Sequence, residues 1–382
     1  MTDGAGPLVG VRVLEIAGLG PVPFAGMMLA DLGAEVLRLE RPTGRSVRLV
    51  PDTFDVPARG RRTVAIDLKA AGAAELVAQL ATRADVLVEG YRPGTCERLG
   101  IGPDELLGAN PALVYARITG WGQEGPRARL GGHDINYIAV AGALAAIGER
   151  GRRPMPPLNL VGDFGGGGLL AVSGILAALI HARATGVGQV VDAAMVDGVS
   201  SLLATAHGYR SAGATSDERE SNFMDGGSPH YRTYECADGE YVAVGAVEPV
   251  FFRALVETLG VDVDPVDQLD RARWPHIESE LSRAFEGHTR DEWAEVFSRV
   301  DACVSPVLTL AEAANDPQIA ARATLVERNG VTQPAPAPRF SATPGAIGVP
   351  PRPAGGDTVE ALRDWGVEDV DRLLTAGIVS PR

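Results

Sequence analysis

A histidine and an aspartate, each next to glycines, are the residues best suited to acid–base chemistry. His133 follows Gly131 and Gly132, and Asp163 lies thirty residues further on, just before the glycine run 165–168. Each is predicted to stand where a glycine-rich turn enters a helix, an end with unpaired N–H groups and partial positive charge. An imidazole and a carboxylate so placed form a candidate proton-transfer pair. The alternative is that Asp163 only caps its helix and His133 is an ordinary histidine, because caps are common.

The composition indicates a globular protein with an acidic surface. Its 382 residues suffice for one large or two medium domains. A net charge of −14 disfavours nucleic acid or an anionic membrane as the main partner. The positive charge comes from arginine, apart from Lys69. Arginine suits bidentate phosphate binding, although a general arginine bias would give the same count.

Cysteine spacing and the N-terminal segment indicate a cytoplasmic protein. Cys96, Cys236 and Cys303 share no C-x-x-C spacing, so we expect reduced thiols and neither a disulfide framework nor a metal site. The N-terminus lacks the features of a signal peptide. The apolar run 169–180 is too short to span a bilayer, and no membrane association is expected.

Strand-like and helix-like segments alternate through about residue 195. This order predicts an α/β fold with a large, Rossmann-like, doubly wound parallel sheet. The predicted strands are short β-branched runs at 11–17, 35–40, 63–68, 85–89, 113–118 and 189–194.

The turn after the first strand is rich in glycine, which suggests a nucleotide-binding site. Gly18 and Gly20 are followed by Pro21, Val22 and Pro23, whereas the dinucleotide fingerprint requires a third glycine. A nicotinamide dehydrogenase is therefore disfavoured, and cofactor titration would test it.

Arginines cluster after the second strand and again after the fourth. The clusters are either an anion site, since guanidinium groups match phosphate geometry, or solvated loops. Arg92 and Arg98 lie just beyond a strand end, the edge of the sheet where ligands bind in such folds. The first cluster contains Arg41, Arg45, Arg48, Arg59, Arg61 and Arg62.

The regular alternation of strand-like and helix-like segments does not continue after residue 207. We expect a large domain over 1–207, a linker over 208–228, a small α+β domain over 229–328, a second linker over 329–356 and C-terminal helices over 357–382 returning to the large domain. A β-hairpin is predicted around Ala237-Asp238-Gly239.

Seven ordered segments together resemble the family III CoA-transferases nearly end to end. They are residues 31–36, 62–69, 85–94, 120–126, 132–137, 159–167 and 234–239. The family's transferases carry an aspartate nucleophile at the position of Asp163, but usually no histidine at the position of His133. Its racemase branch has that histidine and a glutamate matching Glu248, as here.

The resemblance implies racemisation of 2-methylacyl-CoA thioesters between the (2R) and (2S) epimers. His133 and Asp163 would exchange the α-proton on opposite faces, with Glu248 holding the imidazole. Backbone N–H groups of the turn ending at Gly165 are candidates for stabilising the enolate oxygen. No cofactor is implied, because CoA is part of the substrate.

The resemblance also implies how the substrate and the subunits are arranged. CoA would contact Arg41, Arg62 and Arg98, while Asp134 and Tyr137 line the entrance. Any single arginine is alternatively a solvated surface group. An interlocked homodimer is implied, with each active site between the large domain of one chain and the small domain of the other.

Two further activities remain compatible with these residues. The first is transfer of CoA from an acyl-CoA to a free carboxylate, with Asp163 as nucleophile. The second is CoA binding without catalysis, which binding without turnover would support.

Overall fold

The computed structural model describes residues 6–43 and 50–381, so the predicted Arg45 and Arg48 lie outside the described residues. The chain forms two compact units. The large unit contains residues 1–141, 158–202 and 322–382, and the small unit contains residues 142–157 and 203–321. The predicted boundaries differ in that 142–157 and 203–207 belong to the small unit, whereas 322–328 and the predicted linker 329–356 belong to the large unit.

A seven-stranded sheet organises the large unit. The strands run in the order β12-β3-β2-β1-β4-β5-β6, all parallel except β12, which pairs antiparallel with β3. Apart from β12, this is the doubly wound order, with a switch point between β1 and β4. The predicted α/β fold is therefore confirmed. The strands are β1 (Arg12–Ile16), β2 (Glu35–Glu40), β3 (Arg61–Ile66), β4 (Val86–Glu89), β5 (Val114–Thr119), β6 (Gln189–Ala194) and β12 (Val379–Ser380).

Both faces of the sheet are covered, which explains why its strands are apolar on both sides. One core contains Leu14 and Leu37 together with Trp365 near the C-terminus, and the other contains Val13 and Ile175. The helices of the large unit are α1 (Pro21–Asp31), α2 (Ala73–Ala81), α3 (Thr95–Arg98), α4 (Pro103–Ala109), α5 (Asp134–Val140), α6 (Leu170–Thr185), α7 (Met195–Leu202), α14 (Thr358–Asp364) and α15 (Val370–Thr375). A hairpin of β10 (Leu325–Arg328) and β11 (Val331–Pro334) completes it.

The segment preceding α6 differs from the prediction. Residues Leu160–Leu169 form a π-helix that continues into α6, so the glycine run lies inside the helix. The combined stretch of 26 residues is long and apolar enough to span a membrane, so the length argument made from the sequence is wrong. Ala171 and Ile175 nevertheless pack in the core beside the sheet, as expected for a core helix.

The small unit is α+β, with its own core around Phe252, Trp274 and Phe285. The predicted hairpin is present, since β7 (Tyr231–Glu235) pairs antiparallel with β8 (Tyr241–Gly245), and β8 pairs with β9 (Val304–Pro306). The helices are α8 (Ala204–Ser211), α9 (Pro249–Leu259), α10 (Trp274–Phe285), α11 (Arg290–Phe297), α12 (Leu310–Ala313) and α13 (Pro317–Ala321). The predicted linker 208–228 therefore begins within α8.

Candidate active site

A cavity of about 440 Å³ opens at the carboxyl edge of the large sheet. Its walls follow four strands: Ala17–Pro21 after β1, Glu40 and Arg41 at the end of β2, Gly90–Pro93 after β4, and Thr119–Trp121 after β5. His133, Tyr137 and Asp163 also line it. The cavity thus lies at the switch point, where doubly wound sheets bind their ligands, and has the size of a small-molecule site.

His133 stands at the turn into α5, as predicted. Its backbone is extended (φ −133°, ψ 173°), and Asp134 is the first helical residue. The His133 N–H donates to Asn136 Oδ1 at 3.0 Å, which fixes the turn. The imidazole is exposed and lines the cavity. It is therefore accessible to a ligand there.

Asp163 lies within the first turn of the π-helix and not at its cap, contrary to the prediction. The side chain is half-buried, and Asn159 Nδ2 donates to its Oδ2 at 3.1 Å. Burial raises the pKa of Asp163, the Asn159 hydrogen bond lowers it, the charge of Asp134 raises it, and His133 lowers it. The net effect is a raised pKa. A carboxyl group of this kind exchanges protons more readily near neutral pH.

Asp134 occupies a different place from the predicted entrance. Its side chain is buried, with 4% exposed, and it is not among the residues that line the cavity. The Oδ2 atom accepts hydrogen bonds from the N–H groups of Gly162 at 2.6 Å and Asp163 at 2.8 Å. These amides are unsatisfied donors at the start of a helix. Asp134 therefore positions Asp163.

Tyr137 is buried and lines the cavity beside His133, one turn along α5. A Cβ atom on Gly120 would lie 2.0 Å from the tyrosine ring, and one on Gly132 would lie 2.7 Å away. Glycine at both positions is therefore a packing requirement. Trp121 meets the ring edge-on at 4.8 Å between centroids. Burial raises the pKa of Tyr137, as does the charge of Asp163, while Arg92 lowers it.

The predicted arginines divide between the two edges of the sheet. Arg41 lines the cavity and interacts with the Tyr91 hydroxyl, and Arg92 also lines it. Arg62 is placed elsewhere, because it lies near the amino end of β3 and pairs there with Glu35 and Asp364.

Two further predicted residues are also placed away from the cavity lining. Arg98 is the last residue of α3, and its guanidinium donates to Thr95 Oγ1 at 3.1 Å. Gly165 lies inside the π-helix, where the N–H of residue i+5 donates to the carbonyl of residue i, so its N–H is directed to Leu160. The structure thus gives no support to Gly165 as an oxyanion donor.

Glu248 belongs to the small unit. It directly precedes α9, whose first residue is Pro249, and its side chain is exposed. An exposed carboxylate ahead of a proline-initiated helix is free to contact another group, but the same position suits an ordinary helix start.

Sequence reasoning missed Asn159 as a partner of the candidate base. The amide lies four residues before Asp163, a spacing that brings side chains together on a helix. This spacing is visible in the sequence, but it predicts a contact only if the helix is known to begin before the glycine run.

Comparison with known proteins shows the family of this chain. The family model described as CoA-transferase family III matches residues 8–358. The chain is 42% identical to the alpha-methylacyl-CoA racemase of Mus musculus, covering 96% of this chain and 95% of that protein. It is 40% identical to the alpha-methylacyl-CoA racemase of Homo sapiens, with 97% of each covered. The crystal structure of a CAIB/BAIF family protein from Brucella suis aligns with a TM-score of 0.80 and 27% identity, over 94% of this chain and 100% of that one. The chain belongs to CoA-transferase family III.

Proposed function

We propose that this chain is an α-methylacyl-CoA racemase, which interconverts the (2R) and (2S) epimers of 2-methylacyl-CoA thioesters. The observation that carries the proposal is that His133 and Asp163 line one cavity and interact electrostatically. The near-full-length relatives named as racemases support the same activity.

The reaction requires a base on one face of the α-carbon and an acid on the other. An ionised Asp163 takes the α-proton from one epimer, and the electron pair of the C–H bond moves onto the thioester oxygen to give an enolate. A protonated His133 then returns a proton to the opposite face, and the enolate electrons form the new C–H bond. The reverse direction uses neutral His133 as base and protonated Asp163 as acid. Burial raises the pKa of Asp163 and so favours its protonated form, which is the acid in the reverse direction.

The arginines of the cavity are suited to the CoA part of the substrate. Arg41 and Arg92 follow β2 and β4 and are exposed. Guanidinium groups at the carboxyl edge of a parallel sheet attract phosphate. We therefore assign CoA phosphate contacts to Arg41 and Arg92.

We further propose a homodimer in which Glu248 approaches His133 from the other chain. Two features support it: Glu248 is exposed, and the helical stretch 160–185 leaves large apolar side chains exposed. A carboxylate beside the imidazole would favour its protonated form. The exposed apolar residues of this stretch are Leu160, Leu169, Leu170 and Ile180.

Mixing two inactive variants tests this arrangement. If each site takes His133 from one chain and Glu248 from the other, a heterodimer of His133→Ala and Glu248→Gln chains contains one intact site. Activity should therefore reappear after the two variants are unfolded and refolded together. An absence of activity in verified heterodimers would contradict the shared site.

The alternative activity is CoA transfer, favoured by the family's name and by the accessible Asp163 carboxylate. In that reaction Asp163 attacks the thioester carbonyl and CoA leaves as a thiolate, giving an acyl-aspartyl anhydride. His133 would have no required part. The two activities therefore differ in what happens to the α-proton.

The deciding experiment is incubation with (2R)-2-methylacyl-CoA in D₂O, with chirality and α-deuterium followed by NMR. We expect epimerisation with deuterium entry, abolished in both His133→Ala and Asp163→Ala. Retention of the α-proton with movement of CoA to an added carboxylate would overturn the racemase proposal in favour of the transferase.

We also propose a cytoplasmic location, supported by the free thiols of Cys96, Cys236 and Cys303.

A further inference from the structure

Glu89 is a fully buried carboxylate at the end of β4, directly before the wall of the cavity. Its Oε2 accepts the N–H of Tyr91 at 2.6 Å, and its Oε1 accepts Nε of Arg117 at 3.0 Å. A buried carboxylate is costly unless it is paired and hydrogen-bonded. Both oxygens of Glu89 are used, yet Glu89 does not line the cavity.

The loop that Glu89 holds presents Arg92 to the cavity. Tyr91, Arg92 and Pro93 line the wall. The N–H of Tyr91 is bound by Glu89, and the carbonyl of Arg92 accepts the N–H of Thr95 at 3.1 Å. The loop is thus fixed on both sides of Arg92.

The Arg92 guanidinium lies against the turn that carries His133. A Cβ atom on Gly131 would be 2.9 Å from Nη2 of Arg92, so glycine makes room for the guanidinium. Among the described residues, no carboxylate forms an ion pair with Arg92, so its charge remains available to a ligand.

Arg117 joins this arrangement to the neighbouring strand and helix. Glu89 and Arg117 are directly opposite each other in the parallel pairing of β4 with β5. Arg117 Nη1 also contacts Glu97 Oε1 at 2.9 Å, in α3. Arg117 is 6% exposed, whereas the Glu97 side chain is 41% exposed. Glu89 is therefore the buried partner of Arg117, and Glu97 is the solvated one.

We propose that Glu89 is a positioning residue for substrate binding: through the Tyr91 N–H it sets the loop that aims Arg92 at an anionic group of the CoA thioester. This inference rests on the proposed acyl-CoA ligand. Glu89 itself touches neither the substrate nor the reacting atoms, so its effect is transmitted by Arg92.

The first test is Glu89→Gln. Tyr91 and Arg117 donate to different oxygens of Glu89, and glutamine replaces one of these oxygens by an NH2 group, so one of the two contacts is lost together with the negative charge. We expect the Kd for free CoA and the KM for the thioester to rise about tenfold, the loss of one charge-assisted hydrogen bond, with kcat little changed. Glu97→Gln is the matched control, because it removes the solvated partner of the same arginine and leaves the Tyr91 contact intact. It should bind CoA like the unaltered protein.

A double-variant cycle separates positioning from general destabilisation. If Glu89 acts through Arg92, then Glu89→Gln with Arg92→Gln should bind CoA no more weakly than Arg92→Gln alone. Additive losses, or an unchanged Kd with a reduced kcat, would overturn the proposal. If Glu89→Gln does not fold, Glu89→Asp keeps the buried negative charge but withdraws the carboxylate from the Tyr91 N–H, and the same cycle applies with Arg92→Gln.

Calorimetric binding of CoA makes the outcome independent of racemisation. Weaker binding in Glu89→Gln with no α-proton exchange in the unaltered protein would retain the positioning role and reject the racemase. Normal α-proton exchange in the unaltered protein, together with unchanged CoA affinity in Glu89→Gln, would support the racemase and reject the positioning role.

Discussion

The N–H of Asp163 donates a hydrogen bond to Oδ2 of Asp134 at 2.8 Å, so one carboxylate holds the backbone of the other. Burial is the main cause that raises the pKa of Asp163; beside it, the amide of Asn159 lowers this pKa and the charge of Asp134 raises it. The protonation of the candidate base therefore depends on two neighbours that act in opposite directions and can be replaced separately.

Replacing these neighbours should move the pH profile in opposite directions. Asp163 is active as a base when ionised, so kcat/KM falls as the pH falls through its pKa. Asp134→Asn removes a negative charge, lowers the Asp163 pKa and shifts the acid limb to lower pH. Asn159→Leu removes a hydrogen-bond donor, raises that pKa and shifts the limb to higher pH. The measurement is kcat/KM for α-deuterium exchange as a function of pH.

Asp104→Asn, an exposed change in α4, controls for the loss of one negative charge and should leave the limb in place. Shifts of Asp134→Asn and Asn159→Leu in the same direction would show that Asp163 is not the titrating base.

Gly20 is required next to Asp163 for two reasons. Its φ is +59°, and a Cβ atom there would lie 2.7 Å from Oδ2 of Asp163. Gly20→Ala should therefore displace the carboxylate, and we expect kcat to fall about 100-fold, as for misplacement of a reacting group by about 1 Å. Steady-state kinetics with the thioester measures this loss.

Gly10→Ala separates the steric contact from backbone strain. Gly10 also has a positive φ of +86°, but no described atom lies within 4 Å of the point that a Cβ atom would occupy. We expect a loss of about 1–2 kcal/mol in the free energy of unfolding, with kcat unchanged. A comparable loss of activity in both variants would refute the specific contact between Gly20 and Asp163.

The sheet and His133 were predictable because their signals are local. Short β-branched runs predicted the parallel strands, and the glycine turn before α5 placed His133 at a helix start. The π-helix was not predictable in this way. By composition, Gly166 and Gly168 suggest a turn. In the structure, the lack of a side chain lets the backbone of Val199 approach Gly166 and the ring of Phe24 approach Gly168. Such close approach is a tertiary property.

Strand direction indicates which of the arginines reach the cavity. Arg41 and Arg92 follow β2 and β4 and reach the carboxyl edge, whereas Arg62 precedes most of β3 and therefore lies toward the amino edge. In contrast, the buried position of Asp134 has no local signal, because an aspartate at the first position of a helix is usually solvated.

Removing one partner of a buried ion pair between β1 and β3 should destabilise the protein strongly. Glu15 Oε2 accepts Nε of Arg61 at 2.6 Å, and both side chains are fully buried. Glu15→Gln removes the carboxylate that pairs with both Arg61 and Arg38, and we expect a loss of about 3–5 kcal/mol in the free energy of unfolding. Urea denaturation followed by circular dichroism measures it.

The exposed pair of Arg210 and Asp217 is the appropriate comparison. Asp217→Asn should leave the urea midpoint unchanged, because exposed pairs are screened by solvent. A midpoint for Glu15→Gln equal to that of Asp217→Asn would contradict the importance of the buried pair.

His230 should make the small unit sensitive to acid. Its ring is fully buried against Phe223, with 4.8 Å between centroids, and neither ring nitrogen has a hydrogen-bond partner among the described residues. Burial lowers its pKa to about 4 from an ordinary value of 6.5. The unfolded chain therefore binds more protons than the folded one between these values, so stability falls as the pH falls from about 6.5 to about 4.

His230→Phe should remove both the cost of the unsatisfied buried ring nitrogens and the loss of stability at acid pH. A phenyl ring suits the aromatic surroundings and leaves no buried nitrogen unsatisfied, so we expect a gain of about 1–3 kcal/mol at neutral pH. Between pH 4 and 6.5 the thermal midpoint should also become less dependent on pH than in the unaltered protein. His207→Phe, an exposed change in α8, should alter neither quantity. If His230→Phe instead lowers the midpoint at neutral pH, the imidazole makes a stabilising contact that its buried position does not reveal, and the acid sensitivity must originate in other groups.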